Sequence, residues 1–110
     1  MTPLPAEFKE VFQYRFANAR VTAEKVLNEE LWKQRGVVYV RICDGEVVYV
    51  GSCDGTLGAR IRAHLRLFPL LPGAKEFAYR NRVEGKTVTI YAYKPTPIRL
   101  FKWRFRSQQR

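Results

Sequence analysis

Four side chains in this sequence could act together on a phosphate ester. Tyr39 and Tyr49 sit in the valine-rich runs Gly36-Val37-Val38-Tyr39-Val40 and Tyr49-Val50-Gly51, and Arg60 and His64 follow one helical turn apart. Hydrolysis of a phosphodiester needs an activated water, stabilisation of the charge on a phosphorane-like transition state, and help for the leaving oxygen. A phenol can relay or accept a proton if nearby cations lower its pKa. A guanidinium offers a planar fork matched to phosphate oxygens. An imidazole titrates near neutrality and can shuttle a proton. Each group alone has a plainer reading, because strand tyrosines usually pack and an arginine one turn before a histidine usually faces solvent. Their conjunction in this order is what points to chemistry.

Local elements must bring these groups together. Residues 36–51 read as a β-hairpin around Cys43-Asp44-Gly45. A two-residue Asp44-Gly45 turn would pair Val40 with Tyr49 and send the two phenols to opposite faces. A three-residue loop pairs Ile42 with Glu46 and needs Gly45 in the left-handed conformation. Val38, Val40, Ile42, Val48 and Val50 then share one apolar face, and Tyr39, Arg41, Val47 and Tyr49 share the other. A buried sheet face favours that register, so the two tyrosines are expected directly cross-strand on one face, with Gly45 at positive φ. Residues 56–67 read as a helix capped by Thr56 or Asp54. Leu57, Ile61 and Leu65 form its core stripe, and Arg60 and His64 form a parallel stripe about 100° round. Residues 86–93 alternate as a strand, with Val88, Ile90 and Ala92 on one face and Thr87, Thr89, Tyr91 and Tyr93 on the other. Residues 74–83 read as a short helix. After Thr96-Pro97 a helix through Phe101 and Phe105 and a strand of alternating aromatic and basic residues are both open. Upstream, Phe8, Val11, Phe12 and Phe16 fall at helical spacing, and Thr22 could cap a second helix carrying Val26, Leu27 and Leu31, so residues 5–34 read as one or two helices.

The charge distribution points to a polyanion. Of the 110 residues, 20 are Lys or Arg and 10 are Asp or Glu. Residues 1–59 hold seven basic and eight acidic side chains, a net −1, whereas residues 60–110 hold thirteen and two, a net +11. Such asymmetry favours nucleic acid. A membrane partner is disfavoured, because no run of about 20 apolar residues occurs. Cys43 and Cys53 with the single His64 make no structural zinc spacing. Two cysteines and no signal-peptide pattern favour a reducing, cytoplasmic setting.

Val38-Tyr39, Tyr49-Val50-Gly51-Ser52 and Leu57-x-x-Arg60-Ile61-x-x-His64-Leu65 together resemble the GIY-YIG nuclease superfamily, closest to its phage homing-endonuclease branch. The likeness runs over residues 36–66. It implies an α+β fold: a three-stranded antiparallel sheet flanked by helices in β-β-α-α-β-α order over residues 36–110, with residues 1–35 as an N-terminal helical extension. It also implies a DNA endonuclease in which Tyr39 and Tyr49 position or activate water, Arg60 stabilises the transition state and His64 assists proton transfer. Mg2+ or Mn2+ would be the cofactor. The family holds that metal with a glutamate on the helix after the third strand, yet no Asp or Glu follows Glu84 here. Four sources of the difference are open: a truncated chain, a glutamate from positions 10, 29, 30, 76 or 84, a second protein chain that completes the site or supplies specificity, or a catalytically inactive domain that only grips nucleic acid. A basic interaction protein, such as a ribosome-associated factor, is the plainest alternative.

Overall fold

The structure, a computed structural model, describes residues 4–18, 20–67 and 81–95. Within them lie strands β1 (Lys9–Ala17), β2 (Arg20–Val26), β3 (Arg35–Cys43), β4 (Glu46–Thr56) and β5 (Lys86–Tyr93), with helices α1 (Glu29–Trp32) and α2 (Leu57–Leu67). The strands form one antiparallel sheet in the order β2-β1-β5-β3-β4. This corrects the expected three-stranded sheet with a helical extension over residues 1–35: residues 9–26 contribute two strands to the same sheet. The helix expected over 74–83 falls mostly outside the described residues, and the element expected after Thr96-Pro97 falls wholly outside them.

The physical reason for the difference is a bulge. In β1, Phe12, Tyr14 and Phe16 alternate onto the inner face, and all three are buried. The register slips between Glu10 and Phe12 against β5, and Val11 is buried as well. Adjacent buried residues followed by Phe16 imitate a helical stripe, although the local period is two. In β2 the register slips again opposite Tyr14, and Ala23 takes a positive φ of 51°. Thr22 caps no helix. Its hydroxyl donates to the Arg15 carbonyl across the hairpin. The cap of α1 is Asn28, whose side-chain oxygen accepts from the Leu31 amide at 3.0 Å.

The β3–β4 hairpin also differs from expectation in its turn. Asp44 and Gly45 form a two-residue turn, with φ of 53° and 75°, between the paired residues Cys43 and Glu46. Both central residues are left-handed, as the favoured tight hairpin turn requires. That register would put the phenols on opposite faces, but a slip between Arg41 and Ile42 leaves Val48 as an extra residue. Beyond it Arg41 pairs with Tyr49 and Tyr39 with Gly51. The tyrosines therefore share a face, one diagonal step apart rather than directly opposite. Their face is also the core face. Val37, Tyr39, Arg41 and Cys43 are all buried on it; on the opposite face Val38, Val40 and Ile42 of β3 are buried as well, and Val47 and Val50 of β4 are 40% and 53% exposed.

Helix α2 lies across this inner face. Leu57, Ile61 and Leu65 meet the core that includes Val88, Ile90 and Ala92, in keeping with their spacing. The Thr56 hydroxyl accepts from the Ala59 amide, so Thr56 rather than Asp54 caps the helix. Cys43 and Cys53 are free thiols buried in the same core, and the Cys53 thiol donates to the Val37 carbonyl. The N-terminal end of α2 is fixed by Trp32, which stacks on Phe12 with ring centroids 4.6 Å apart. A Cβ on Gly58 would come within 2.7 Å of the Trp32 indole nitrogen. Gly58→Ala should therefore destabilise the fold. The gain of about 1 kcal/mol from helix propensity is opposed by about 1–3 kcal/mol of overpacking. Thermal melts of the two proteins check this, and a higher melting temperature for the alanine variant would contradict the packing.

Candidate functional site

The four groups singled out from sequence meet on the inner face, where β3, β4 and α2 converge. Tyr39 and Tyr49 stack, with ring centroids 6.0 Å apart and planes 26° from parallel. His64, from α2, meets Tyr49 edge-on at 5.5 Å, with the planes at 86°. Arg60, one turn before His64 on the same flank of the helix, interacts with the Tyr39 hydroxyl. That contact is loose, short of a well-formed hydrogen bond. Loose contacts of this kind are common in sites without substrate and tighten when it binds.

Two further residues complete the arrangement. Arg41 is wholly buried beneath the rings. Its guanidinium carbon lies 4.9 Å from the Tyr49 centroid and 6.0 Å from that of Tyr39, within the range of cation–π attraction. Gly51, paired with Tyr39, is the floor of the tyrosine pair. A Cβ there would stand 2.8 Å from the Tyr39 hydroxyl and ring and 2.8 Å from the Tyr49 ring. Sequence pattern places Arg41 on the tyrosine face without giving it a role. Gly51 lies inside β4, and its lack of a side chain makes room for the phenols. The signal for both is present in the sequence: Arg41 is two residues from Tyr39 on the same face, and Gly51 is two residues from Tyr49.

Electrostatics divides the groups by protonation. Burial raises the Tyr39 pKa, and Tyr49 raises it further, against lowering by Arg41 and Arg60. Tyr39 therefore stays a protonated phenol at neutral pH, able to donate a hydrogen bond. Burial lowers the His64 pKa to about 4, helped by Arg41 and Arg60. His64 is thus a neutral imidazole at pH 7, with a ring nitrogen able to accept a proton. A donor phenol, a proton-accepting imidazole and a guanidinium at the rim could hold an anion and move a proton beside it.

A divalent cation does not fit these residues. No three side chains among His, Cys, Asp and Glu cluster in a way that could hold one, among the described residues. The acids nominated from sequence are used elsewhere or point to solvent. Glu10 accepts from the Tyr91 hydroxyl, and Glu84 accepts from the Asn18 amide. Glu29 and Glu30 are exposed in the first turn of α1, and Glu76 lies outside the described residues. Mg2+ and Mn2+ need anionic oxygen ligands, and two arginines close by repel them.

No family model and no curated protein matches the sequence. Solved structures do match. The fold is shared with a restriction endonuclease. Superposition on restriction endonuclease HPY188I, in complex with product DNA, gives a TM-score of 0.61 at 18% identity over 81% of this chain and 56% of that one. A mutant of bacteriophage T4 EndoII gives 0.53 at 17% identity over 79% of this chain and 65% of that one. The chain thus spans less than two thirds of either neighbour. At this identity the likeness is one of fold. Among the described residues, no helix is long and apolar enough to cross a membrane.

The electrostatic arrangement yields a pH dependence with a definite sign. Between the unfolded value of 6.5 and the folded value of about 4, the unfolded chain takes up a proton that the folded site refuses. Stability should therefore fall on acidification through that window and be free of this contribution above it. Arg41→Met should raise the His64 pKa towards 6.5, because burial of the imidazole remains while one opposing cation is removed. NMR titration of the His64 ring protons reads this directly. An unshifted pKa in the variant would show that Arg41 does not act on His64.

Proposed function

We propose that this chain is a GIY-YIG-type DNA endonuclease domain whose inner-face pocket engages the scissile phosphodiester. The observation that carries the reading is the convergence of Tyr39, Tyr49, Arg60 and His64 from two strands and one helix, in the order and at the spacings of that superfamily. The fold shared with a DNA-bound restriction endonuclease supports it, as does the +11 charge of residues 60–110.

The roles follow from the protonation states. Arg60, exposed at the rim, binds the phosphate and the negative charge that grows on it in the transition state. Tyr39, a protonated phenol, donates to a phosphate oxygen or to the attacking water and fixes its position. Tyr49 walls the pocket and orients the imidazole. His64, neutral at pH 7, accepts the proton released as water attacks. Domain function in this reading is carried by residues 36–110, with β1 and β2 completing the sheet that supports them. In the superfamily a metal supplies Lewis acidity at the phosphate. The carboxylate to hold it would come, in this reading, from a second protein chain or from a segment outside the described residues. The absence of a carboxylate cluster among the described residues equally favours a second reading, a domain that binds nucleic acid without cutting it.

Plasmid incubation with the purified chain, with Mg2+, Mn2+ or a chelator, separates these readings when combined with binding data. Binding should weaken steeply with salt, with a log–log slope of about −0.9 per phosphate neutralised. Arg60→Ala should reduce the steepness of that slope by about one and abolish cleavage in any mixture that supports it, with the melting transition retained. The lone chain should cut poorly with either cation. Salt-independent binding would overturn the nucleic-acid reading, and vigorous Mg2+-dependent cleavage by the lone chain would place the missing ligand within it.

A further inference from the structure

Helix α2 has a second basic flank that the pocket does not use. At about 100° per residue, Arg62 and Arg66 fall together on the side away from Arg60 and His64. The cleft between that flank and the β2 edge has a volume of about 670 Å³ and is lined by Arg20, Val21, Glu24, Ala59, Arg62, Leu65 and Arg66. Three guanidiniums and one carboxylate give this lining a net charge of +2. Arg62 is held in place there, with its guanidinium carbon 5.5 Å from the Trp32 ring centroid. The crest opposite the Leu57–Ile61 stripe that faces the core carries the small side chains of exposed Ala59 and half-buried Ala63, with exposed Arg66 beside Ala59.

We propose that α2 is the docking element for duplex DNA, with its alanine crest turned into the major groove and its two flanks facing the phosphate walls. Arg60 faces one wall, and Arg20, Arg62 and Arg66 form a second phosphate-binding site on the other. This rests on the nucleic-acid reading above and adds to it a surface and an orientation. The dimensions agree: the major groove is about 12 Å wide and admits a helix of about 10–12 Å. A small-residue crest permits close approach, and guanidiniums on both sides suit phosphate oxygens. Duplex RNA is a poorer fit, because its major groove is deep and narrow.

The test uses fluorescence anisotropy of the full chain with a labelled mixed-sequence DNA duplex over a range of salt. The combined variant Arg20→Gln, Arg62→Gln, Arg66→Gln should lower the salt slope by about 0.9 for each phosphate it no longer neutralises, up to about 2.7. A matched variant, Lys9→Gln, Lys25→Gln, Lys33→Gln, removes the same charge from other surfaces and should change the slope much less. Ala63→Glu, which keeps helix propensity and puts a carboxylate on the crest, should weaken binding at least about tenfold. An unchanged slope in the arginine variant, an equal change in the lysine variant, unaltered binding by Ala63→Glu, or equal affinity for duplex RNA would each overturn groove docking. In those cases the wild-type chain still binds DNA and the function proposed above stands. If the wild-type chain binds no DNA at all, both readings fall.

Discussion

The missing Cβ at Gly51 is the constraint on which the site rests. Tyr39 and Tyr49 are diagonal neighbours across a hairpin, and their rings can lie together only if the strand beneath them is bare. Gly51 supplies that bare surface at the position paired with Tyr39. The bulge at Val48 acts earlier in the same chain of causes, by turning Tyr49 onto the inner face after a two-residue turn that would otherwise send it outward. Arg41 then enters the space under the rings as a buried cation, stabilised by two π faces. Remove the bulge and the phenols part. Add a methyl group at Gly51 and the stacked pair must separate.

From this packing the electrostatics follows. A buried guanidinium under the rings and an exposed one at the rim bias the pocket towards anions, and burial, helped by both cations, keeps His64 deprotonated. The same cations act against the rise that burial imposes on Tyr39 without overcoming it. One phenol that donates and one imidazole that accepts are thereby fixed at neutral pH by their surroundings, two groups with complementary tasks in proton transfer. The field that suits a phosphate repels a divalent ion, which is why a metal held here would need carboxylates from outside the described residues.

Much of the site is legible in the sequence, and much of the fold is not. The Leu57–Ile61–Leu65 stripe, the alternation over residues 86–93 and the grouping of the four polar side chains follow from plain helix and strand periods, which the structure keeps. The N-terminal strands are hidden by bulges, which break the period of two at Val11 and in the middle of β2 and leave a spacing that resembles a helix. Asn18, left-handed with φ of 54° at the end of β1, lacks the following glycine that usually marks such a turn. A three-residue loop would put the tyrosines on one face, but the chain does not use it. The two-residue turn and the one-residue bulge at Val48 sum to the same parity, so the tyrosines share a face by a different geometry. By composition the valine face is the better candidate for burial because it is uniformly apolar, and Val38, Val40 and Ile42 are indeed buried on it, but α2 covers the face with the polar tips. Arg41 and Tyr39 are buried there and Tyr49 is half-buried, with the Arg41 guanidinium in cation–π range of both rings, positions that sequence hydrophobicity alone would not assign to a core.

The central claim is that Tyr39, Arg60 and His64 surround one phosphate of a DNA strand. A crystal structure of the chain with a duplex carrying a non-hydrolysable backbone linkage tests it most directly. The account predicts a backbone phosphate with oxygens about 3 Å from the Tyr39 hydroxyl and the Arg60 guanidinium, and His64 on the side from which water would attack. A duplex bound elsewhere, with the pocket between β4 and α2 turned away from the backbone, would contradict it.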